Sequence, residues 1–471
     1  MEKIKNLVLR KIKPTRKESE KMKDFVIELL RVAETVTKTR PIITGSIGKG
    51  TWLKGDCDID LFLMFPKSVS RKNLEKRGIE YGEKITYALK GRCKIRYAEH
   101  PYVRAIVNGI KIDIVPCYKI GKGDKIISAV DRSPLHIAYI LEKLDPEFRD
   151  DVRLLKQFCK GIGIYGSDAK NLGISGYICE LLVIKYGRFE NVLKAVSKLN
   201  PGHIIDIENL WFRDLTKIDK SREEIKNKFR GEPLIIIDPV DKNRNAAAAL
   251  SCENFIRFVN KAREFLKNPS MNFFFPVKKE LNKKEIKALQ QRKTKFLGIL
   301  FDKPDVMDDI LYPQLRKASE RLASLMAYHE FKVLRKYEFV TGKKVALIFE
   351  METWLLPFIE KMVGPPIFAI KNARDFLKKY KNCLYGPYIE KQNWVIEKQR
   401  KFKMAHLLLR HFLSDCPENL QKNGVPNHIA KPISNAKILQ HDEFWEFVKK
   451  NKEFSTFLRE KYFENQSASQ N

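Results

Sequence analysis

Apolar and polar positions alternate along this chain in blocks whose period changes several times. Over residues 15–38 the apolar residues Met22, Phe25, Val26, Leu29, Leu30 and Ala33 fall on one helical stripe, which predicts a long amphipathic helix. The period then shortens. RPIITGS predicts a strand running into a glycine loop, and DIDLFLMF a second strand closed by Pro66. A charged helix is expected over roughly 71–90, followed by successive strands in KIRYAEHPYVRAIVNGIKIDIVP, where Asn108-Gly109 is the signature of a type I′ hairpin turn. Ser133-Pro134 predicts a helix start, with Ser as N-cap and Pro in the first turn. Helices are expected to dominate to about 265, interrupted by loops at GIYGSDAKNLGISG and DPVDKNRN; the latter reads as a turn opening an Ala-rich helix capped by Asn243 or Asn245. After a charged junction, FFFPVKKELNKKE, the order is strand, helix (about 306–329), strand, strand. That βαββ order predicts a small α+β unit with helices on one face of a sheet. The rest reads as helical, basic and aromatic, and the tail ENQSASQN as disordered.

Composition narrows the class. A chain of 471 residues is long enough for two to four domains. Lys and Arg number 90 against 58 Asp and Glu, a net charge of +32. A lysine-rich, heat-adapted surface normally carries matching Glu. Here the excess is one-sided, which favours a polyanion partner: nucleic acid first, an anionic membrane surface second. Eight cysteines are present without any CxxC, which argues against a zinc ribbon or a thioredoxin-type site, and most are expected to be buried thiols. The stretch MEKIKNLVLRKIKPTRKESE lacks the apolar core of a signal peptide, and no apolar run of about 18 residues predicts a membrane span. The expected location is the cytoplasm.

The densest chemistry lies in ITGSIGKGTWLKGDCDIDLFLMF, residues 43–65. It is not a Walker A loop, because Ile43 stands where its first glycine should be and Lys49 is followed by Gly50, not Ser or Thr. What remains is Gly45-Ser46 at a strand end, whose backbone N–H groups and hydroxyl suit phosphate oxygens. Asp58 and Asp60 flank Ile59 and share one strand face, while Asp113 alternates with Ile112 and Ile114 in a later strand. If the strands are neighbours, three carboxylates converge. Such a cluster calls for cations, and hard oxygen ligands suit Mg²⁺. A pair of ions about 3.5–4 Å apart can clamp both oxygens of an in-line phosphoryl displacement. Solvent-facing acids on an edge strand would explain one D-x-D, but not its place after a Gly-Ser loop together with a lone Asp among β-branched residues.

Gly-Ser, a short spacer, D-x-D and a distant third Asp resemble the nucleotidyltransferase superfamily of DNA polymerase β. More narrowly, GSIGKGTWLKGDCDIDLFLMFP, DIVPCY, DRSPLH, LLKQFCKGIGIYGSDAK and GPYIE are similar, in order and over residues 1 to about 450, to archaeal CCA-adding enzymes, the class I tRNA nucleotidyltransferases. The Arg-Arg-x-Asp motif of bacterial and eukaryotic CCA enzymes is missing. The resemblance implies an α+β fold: a polymerase β-like head (1–132), a helical nucleotide-pocket domain (133–265), a tRNA-binding body and tail with an RRM-like unit (266–463), and a disordered C-terminus (464–471). It implies Asp58, Asp60 and Asp113 as catalytic ligands of two Mg²⁺ ions, and Ser46 and Lys49 on the triphosphate. Where many relatives carry Arg, Lys49 is a point charge, not a bidentate fork. His136, Lys156 and Tyr165 match further nucleotide contacts, and Arg244 matches the arginine that meets the incoming base. Lys156 stands off the Leu154–Phe158 stripe, which predicts that it is free to reach phosphate. Solvated His or Lys, a packing Tyr and a cap Arg are the ordinary alternatives for these residues.

The implied substrates are tRNA, CTP and ATP, the implied assembly a homodimer, and the implied activity template-independent addition and repair of the 3′-terminal CCA with release of pyrophosphate. KQNWVIEKQRKFKMAHLLLRHF, with Lys391, Lys398, Arg400, Lys401 and Lys403, reads as a basic amphipathic helix able to track an RNA backbone. Another superfamily polymerase, such as a poly(A) polymerase or an oligoadenylate synthetase, and a non-catalytic RNA-binding protein are the competing readings.

Overall fold

The computed structural model describes residues 1–464 apart from Ala98 and Lys122, so the tail expected to be disordered lies, beyond Glu464, outside the described residues. Two compact units divide the chain, Met1–Val277 and Lys278–Asn471.

The first unit opens with α1 (Glu2–Ile12) and α2 (Arg16–Thr37), the latter begun by a capping box between Thr15 and Glu18. There follow β1 (Ile42–Thr44), α3 (Gly45–Lys49), β2 (Ile59–Phe65), α4 (Arg71–Ala88), β3 (Arg92–Tyr97), β4 (Pro101–Val107) and β5 (Ile110–Tyr118). The strands form one sheet in the order β1-β2-β5-β4-β3, with β2 and β5 parallel. Period-2 alternation sends Ile59, Leu61, Leu63, Ile112 and Ile114 into a core shared with Leu29 and Ala33 of α2 and Leu74 and Ile85 of α4. The β4–β5 turn has positive φ at Asn108 and Gly109, as the hairpin signature requires.

Then come α5 (Arg132–Lys143), α6 (Arg149–Gly161), α7 (Gly176–Tyr186), α8 (Phe189–Val196), β6 (His203–Ile205), α9 (Ile218–Lys228), β7 (Leu234–Asp238), β8 (Asp241–Asn245) and α10 (Cys252–Lys267). Phe158, Phe189, Phe265 and Phe274 pack edge-on or tilted at the centre of a separate core. Two expectations fail here. The helix at Ser133-Pro134 starts earlier, at Arg132, after a 3₁₀ turn capped by Ser128, so Ser133 lies inside the first turn. Helices dominate the region as expected, and β6, β7 and β8 add a small sheet to it. LIIID is buried throughout, and a continuous apolar run carries no period that separates strand from buried helix. Its backbone is satisfied in part by DKNRN, which therefore pairs as a strand and does not open a helix; α10 begins only at Cys252, capped by Ser251.

The second unit contains α11 (Lys283–Gln291), β9 (Lys295–Asp302), α12 (Asp308–Tyr328), β10 (Val333–Val340), β11 (Lys344–Met351), β12 (Ile359–Pro366), α13 (Ile370–Lys379), β13 (Tyr385–Glu390), β14 (Asn393–Gln399), α14 (Ala405–Leu413), α15 (Pro417–Lys422), α16 (Asn427–Ser434), β15 (Lys437–Leu439), α17 (His441–Lys450) and α18 (Lys452–Arg459). The βαββ order of β9, α12, β10 and β11 matches the sequence reading. The sheet is covered on both faces, however: α12, α14 and α16 pack on Leu297, Ile299 and Leu347, while α17 and α18 pack on Phe296, Ala346 and Ile348. That double burial explains why KFLGILF and KVALIF are continuously apolar. The stretch read as helical and basic also contains a second sheet, β12-β14-β13. In NWVIEKQ the basic residues obscured a strand.

All eight cysteines are free. Only Cys117, Cys159 and Cys179 are buried, which corrects the expectation that most would be; Cys93, Cys252 and Cys416 are exposed.

Candidate active site

One row across the first sheet carries the chemistry. Thr44 is opposite Asp60, Asp60 is beside Asp113, and Asp113 is opposite Arg104. The strand pairing thus places two of the three predicted carboxylates side by side, and Asp58 precedes β2 in an exposed position with Lys111 Nζ at 3.9 Å. Gly45, at φ +67°, lets the chain turn from β1 into α3 directly against this row, and a Cβ there would overlap Oδ2 of Asp60. Ser46 sits half-buried in the following turn. Asp56 is drawn away by an ion pair with Lys160.

The row is electrostatically strained. Burial, then the charges of Asp113 and Asp58, push the Asp60 carboxyl up to about 6, against which Lys49 and Arg104 act only in part. Asp113 is instead gripped by Arg104, with Nε donating to Oδ1 at 2.7 Å and Nη2 to Oδ2 at 2.7 Å. The donor set fits a hard divalent cation, because the charge that pushes Asp60 up is what such an ion relieves. As they stand, with Arg104 on Asp113, no group of three acids or metal-binding side chains among the described residues forms a closed ligand set.

Behind α3 lies a second buried cluster. Lys49 Nζ donates to Oε2 of Glu180 at 2.7 Å, Thr51 donates to Oε1 at 2.7 Å, and Lys156 Nζ lies 3.1 Å from Oε1 and 2.9 Å from the Thr51 hydroxyl. Lys156 is only 2% exposed, so the expectation that it is free to reach phosphate is corrected: α6 packs it inward, where a buried acid of α7 needs a partner. Lys49 is likewise buried and turned to Glu180, with Nζ 5.2 Å from the Tyr177 ring centre.

A third cluster gathers around Asp238. Its Oδ2 accepts from His136 Nε2 at 2.8 Å and from Arg244 Nη1 at 2.7 Å, while Oδ1 accepts from the Tyr177 hydroxyl at 3.1 Å. The His136 ring stacks on Tyr177 at 4.0 Å, and its desolvation, only partly opposed by Asp238, lowers its pKa. Arg244 therefore lies on β8 and caps no helix. Tyr165 lies in the loop after α6, its ring 5.5 Å from Lys160 Nζ, and burial raises its hydroxyl pKa.

Comparison with known proteins places this arrangement. Residues 20–136 match the nucleotidyltransferase domain, 150–275 the second domain of tRNA nucleotidyltransferase, and 292–442 the C-terminal domain of CCA-adding enzyme. The CCA-adding enzyme of Methanosarcina mazei is 36% identical over 95% of this chain and 98% of its own length. That of Methanocaldococcus jannaschii is 37% identical over 96% and 98%. This chain belongs to the CCA-adding enzyme family. Its fold is the mixed α+β fold of that family, with a polymerase β-like head, a second nucleotidyltransferase domain and the family's C-terminal domain.

Within this CCA-adding framework the basic residues of the second unit divide into two kinds. They do not share a helix: Lys391 lies in the β13–β14 turn, Lys398 on β14, and Arg400, Lys401 and Lys403 in the segment before α14. Lys398 pairs with Glu360 at 3.0 Å, and Arg400 with Glu330 and Glu360. Lys391, Lys401 and Lys403 are exposed, the last two above the rings of Phe402 and Phe358. Sequence reading missed Arg104, Thr51, Tyr177, Glu180 and Asp238. A signal was present for three of them: the Asn108-Gly109 hairpin sets Arg104 opposite Asp113, Glu180 interrupts YICELLVI and Asp238 ends LIIID, and an acid inside a buried run must have partners. No helix among the described residues is long and apolar enough to cross a membrane.

Proposed function

We propose that this chain completes and repairs the 3′ end of tRNA, adding C, C and A from CTP and ATP without a nucleic-acid template and releasing pyrophosphate. The reading rests above all on the carboxylate row Asp60–Asp113 set against Gly45 in a chain of this family. The polymerase β-like superfamily is typically metal-dependent, and Asp58, Asp60 and Asp113 are the residues that would hold two Mg²⁺ ions. When bound, such ions supply charge neutralisation and activation of the attacking and leaving oxygens.

The chain's own groups would do the rest. Ser46 and the backbone N–H groups entering α3 hold phosphate oxygens, and Lys49 and Lys156 raise the local positive potential from behind. Tyr165 and His136 bound the nucleotide. Arg244 meets the base, and a guanidinium can only donate hydrogen bonds. Cytosine and adenine both present a bare ring nitrogen on the Watson–Crick edge where uracil and guanine present N–H. One arginine therefore suits CTP and ATP and disfavours UTP and GTP.

The functional division follows the head (1–132), pocket domain (133–265) and tRNA-binding body (266–463), in a cytoplasmic homodimer. Incubation with tRNA lacking its CCA end, Mg²⁺ and each nucleotide in turn tests the proposal. The expected result is two CMP additions, one AMP addition and then arrest. Continued AMP addition would make the protein a poly(A)-type polymerase, and no incorporation would leave an RNA-binding protein.

A further inference from the structure

Asp238 ends β7 and is fully buried, so it touches no nucleotide itself. Yet its carboxylate joins side chains from three elements: His136 of α5, Tyr177 of α7 and Arg244 of β8, with the Val240 N–H as a further donor at 3.2 Å. Charge complementarity explains the gathering, since a buried carboxylate needs its lone pairs filled and Arg244 and His136 can donate to it. The geometry also constrains each donor. A carboxylate accepts only, so the hydrogen of neutral His136 sits on Nε2 and the lone pair on Nδ1. Arg244 has Nη1 committed to Asp238, its side chain is 35% exposed, and its other N–H groups are not taken up by Asp238.

We propose that Asp238 is the positioning residue for nucleotide selection: it fixes the angle at which Arg244 presents its free N–H edge to the incoming base, and the tautomer in which His136 faces the pocket. This rests on the reading of Arg244 as the base contact. A carboxylate holding the guanidinium by one nitrogen makes the other edge a rigid ruler; without that anchor the side chain samples several rotamers and donates to any acceptor it meets. Discrimination, rather than rate alone, is then what the anchor controls.

The test uses the full-length enzyme and tRNA. Relative kcat/KM for CTP and ATP against UTP and GTP is measured for wild type, Asp238→Asn, Arg244→Ala and the double variant, with thermal stability recorded for each. Asp238→Asn is expected to lower discrimination about tenfold, within the range one bidentate contact supplies in base readout. The double variant should lose no more than Arg244→Ala alone. If Asp238→Asn slows all four nucleotides equally and only lowers the melting temperature, Asp238 is a stabilising ion-pair partner and the inference is overturned. If Arg244→Ala itself leaves discrimination intact, the base-contact reading fails first. ¹⁵N NMR of the histidine rings in the wild-type protein decides the second limb without any variant. A neutral Nε2–H tautomer at His136 is expected, and Nδ1–H would refute the anchoring.

Discussion

Asp60 on β2 and Glu180 on α7 are acids of one unit, both withdrawn from water and both within the field of Lys49, yet burial and neighbours hold one at about 6 and the other at about 2. Desolvation is the largest influence on each and pushes both up. For Glu180 it is more than reversed by the charges of Lys156 and Lys49 and by hydrogen bonds from Lys49 and Thr51. For Asp60 the next influences are two more carboxylates, Asp113 and Asp58. The Glu180 cluster is complete within the protein, whereas the Asp60 cluster is complete only with something positive added. The direction of the shift, rather than its size, separates a structural ion-pair network from a working site.

The largest effect should come from breaking the incomplete side. Asp58→Ala or Asp60→Ala is expected to abolish CMP and AMP incorporation together, by on the order of 10³-fold or more, beyond the loss of a single oxyanion donor. Binding of tRNA should be nearly unchanged by filter or gel assay. Loss of only one of the two incorporations would show that the row does not serve every step alike.

Breaking the complete side should show first as lost stability. Glu180→Gln leaves Lys49 and Lys156 buried against each other without their common carboxylate. Removing one partner of a buried ion pair costs about 3–5 kcal/mol. The denaturation midpoint should fall accordingly, and Lys156→Met added to Glu180→Gln should restore part of it. A midpoint equal to wild type in Glu180→Gln would mean that water reaches the cluster.

The two acids also predict opposite pH limbs. The folded-state pKa of Asp60 lies above its usual 3.8, so folded protein binds the proton first and stability falls as pH rises from about 4 to about 6. At about 1.36 kcal/mol per unit the loss approaches about 3 kcal/mol. Mg²⁺ should restore it at pH 7.5 and do little at pH 4, and Asp60→Asn should flatten this limb while raising metal-free stability. Glu180 lies below its usual 4.5, so its contribution is complete above that value and is lost as pH falls towards 2. Melting temperatures across both windows, with and without Mg²⁺, check the signs.

Legibility in the sequence followed the same divide. Asp58, Asp60 and Asp113 stood out because strand alternation is local and an acid among β-branched residues is conspicuous. Asn108-Gly109 marked its turn for the same reason. Glu180 and Asp238 are defined by partners 131 and 102 residues away, which no window spans, whereas Arg104 lies only 9 residues from Asp113, and the register of the Asn108-Gly109 hairpin already pairs the two. Lys156 was misjudged because its helical position faces another helix that supplies an acid. The sheet β12-β14-β13 was missed because its strands mix lysines and glutamates with apolar residues, and in NWVIEKQ neither period is sustained.

The smallest predicted effect carries the contrast between completed and uncompleted charge into the second unit. Lys398 and Arg400 already have carboxylate partners, whereas Lys401 and Lys403 are exposed, lie over aromatic rings and have no carboxylate partner among the described residues. A paired lysine must give up its glutamate before it can neutralise a phosphate, so its net contribution to RNA affinity is small. An unpaired one releases a counterion at once, and each phosphate so neutralised adds roughly 0.7–0.9 to the log–log salt slope. Lys401→Gln with Lys403→Gln should therefore flatten the slope of tRNA affinity by up to about 1.4–1.8 and raise KM for tRNA. Lys398→Gln with Arg400→Gln should change it far less, and neither pair should alter KM for CTP, whose triphosphate contacts are assigned to the first unit. Equal flattening by both pairs would show that the glutamates yield to RNA freely. No flattening by either would place the RNA path elsewhere.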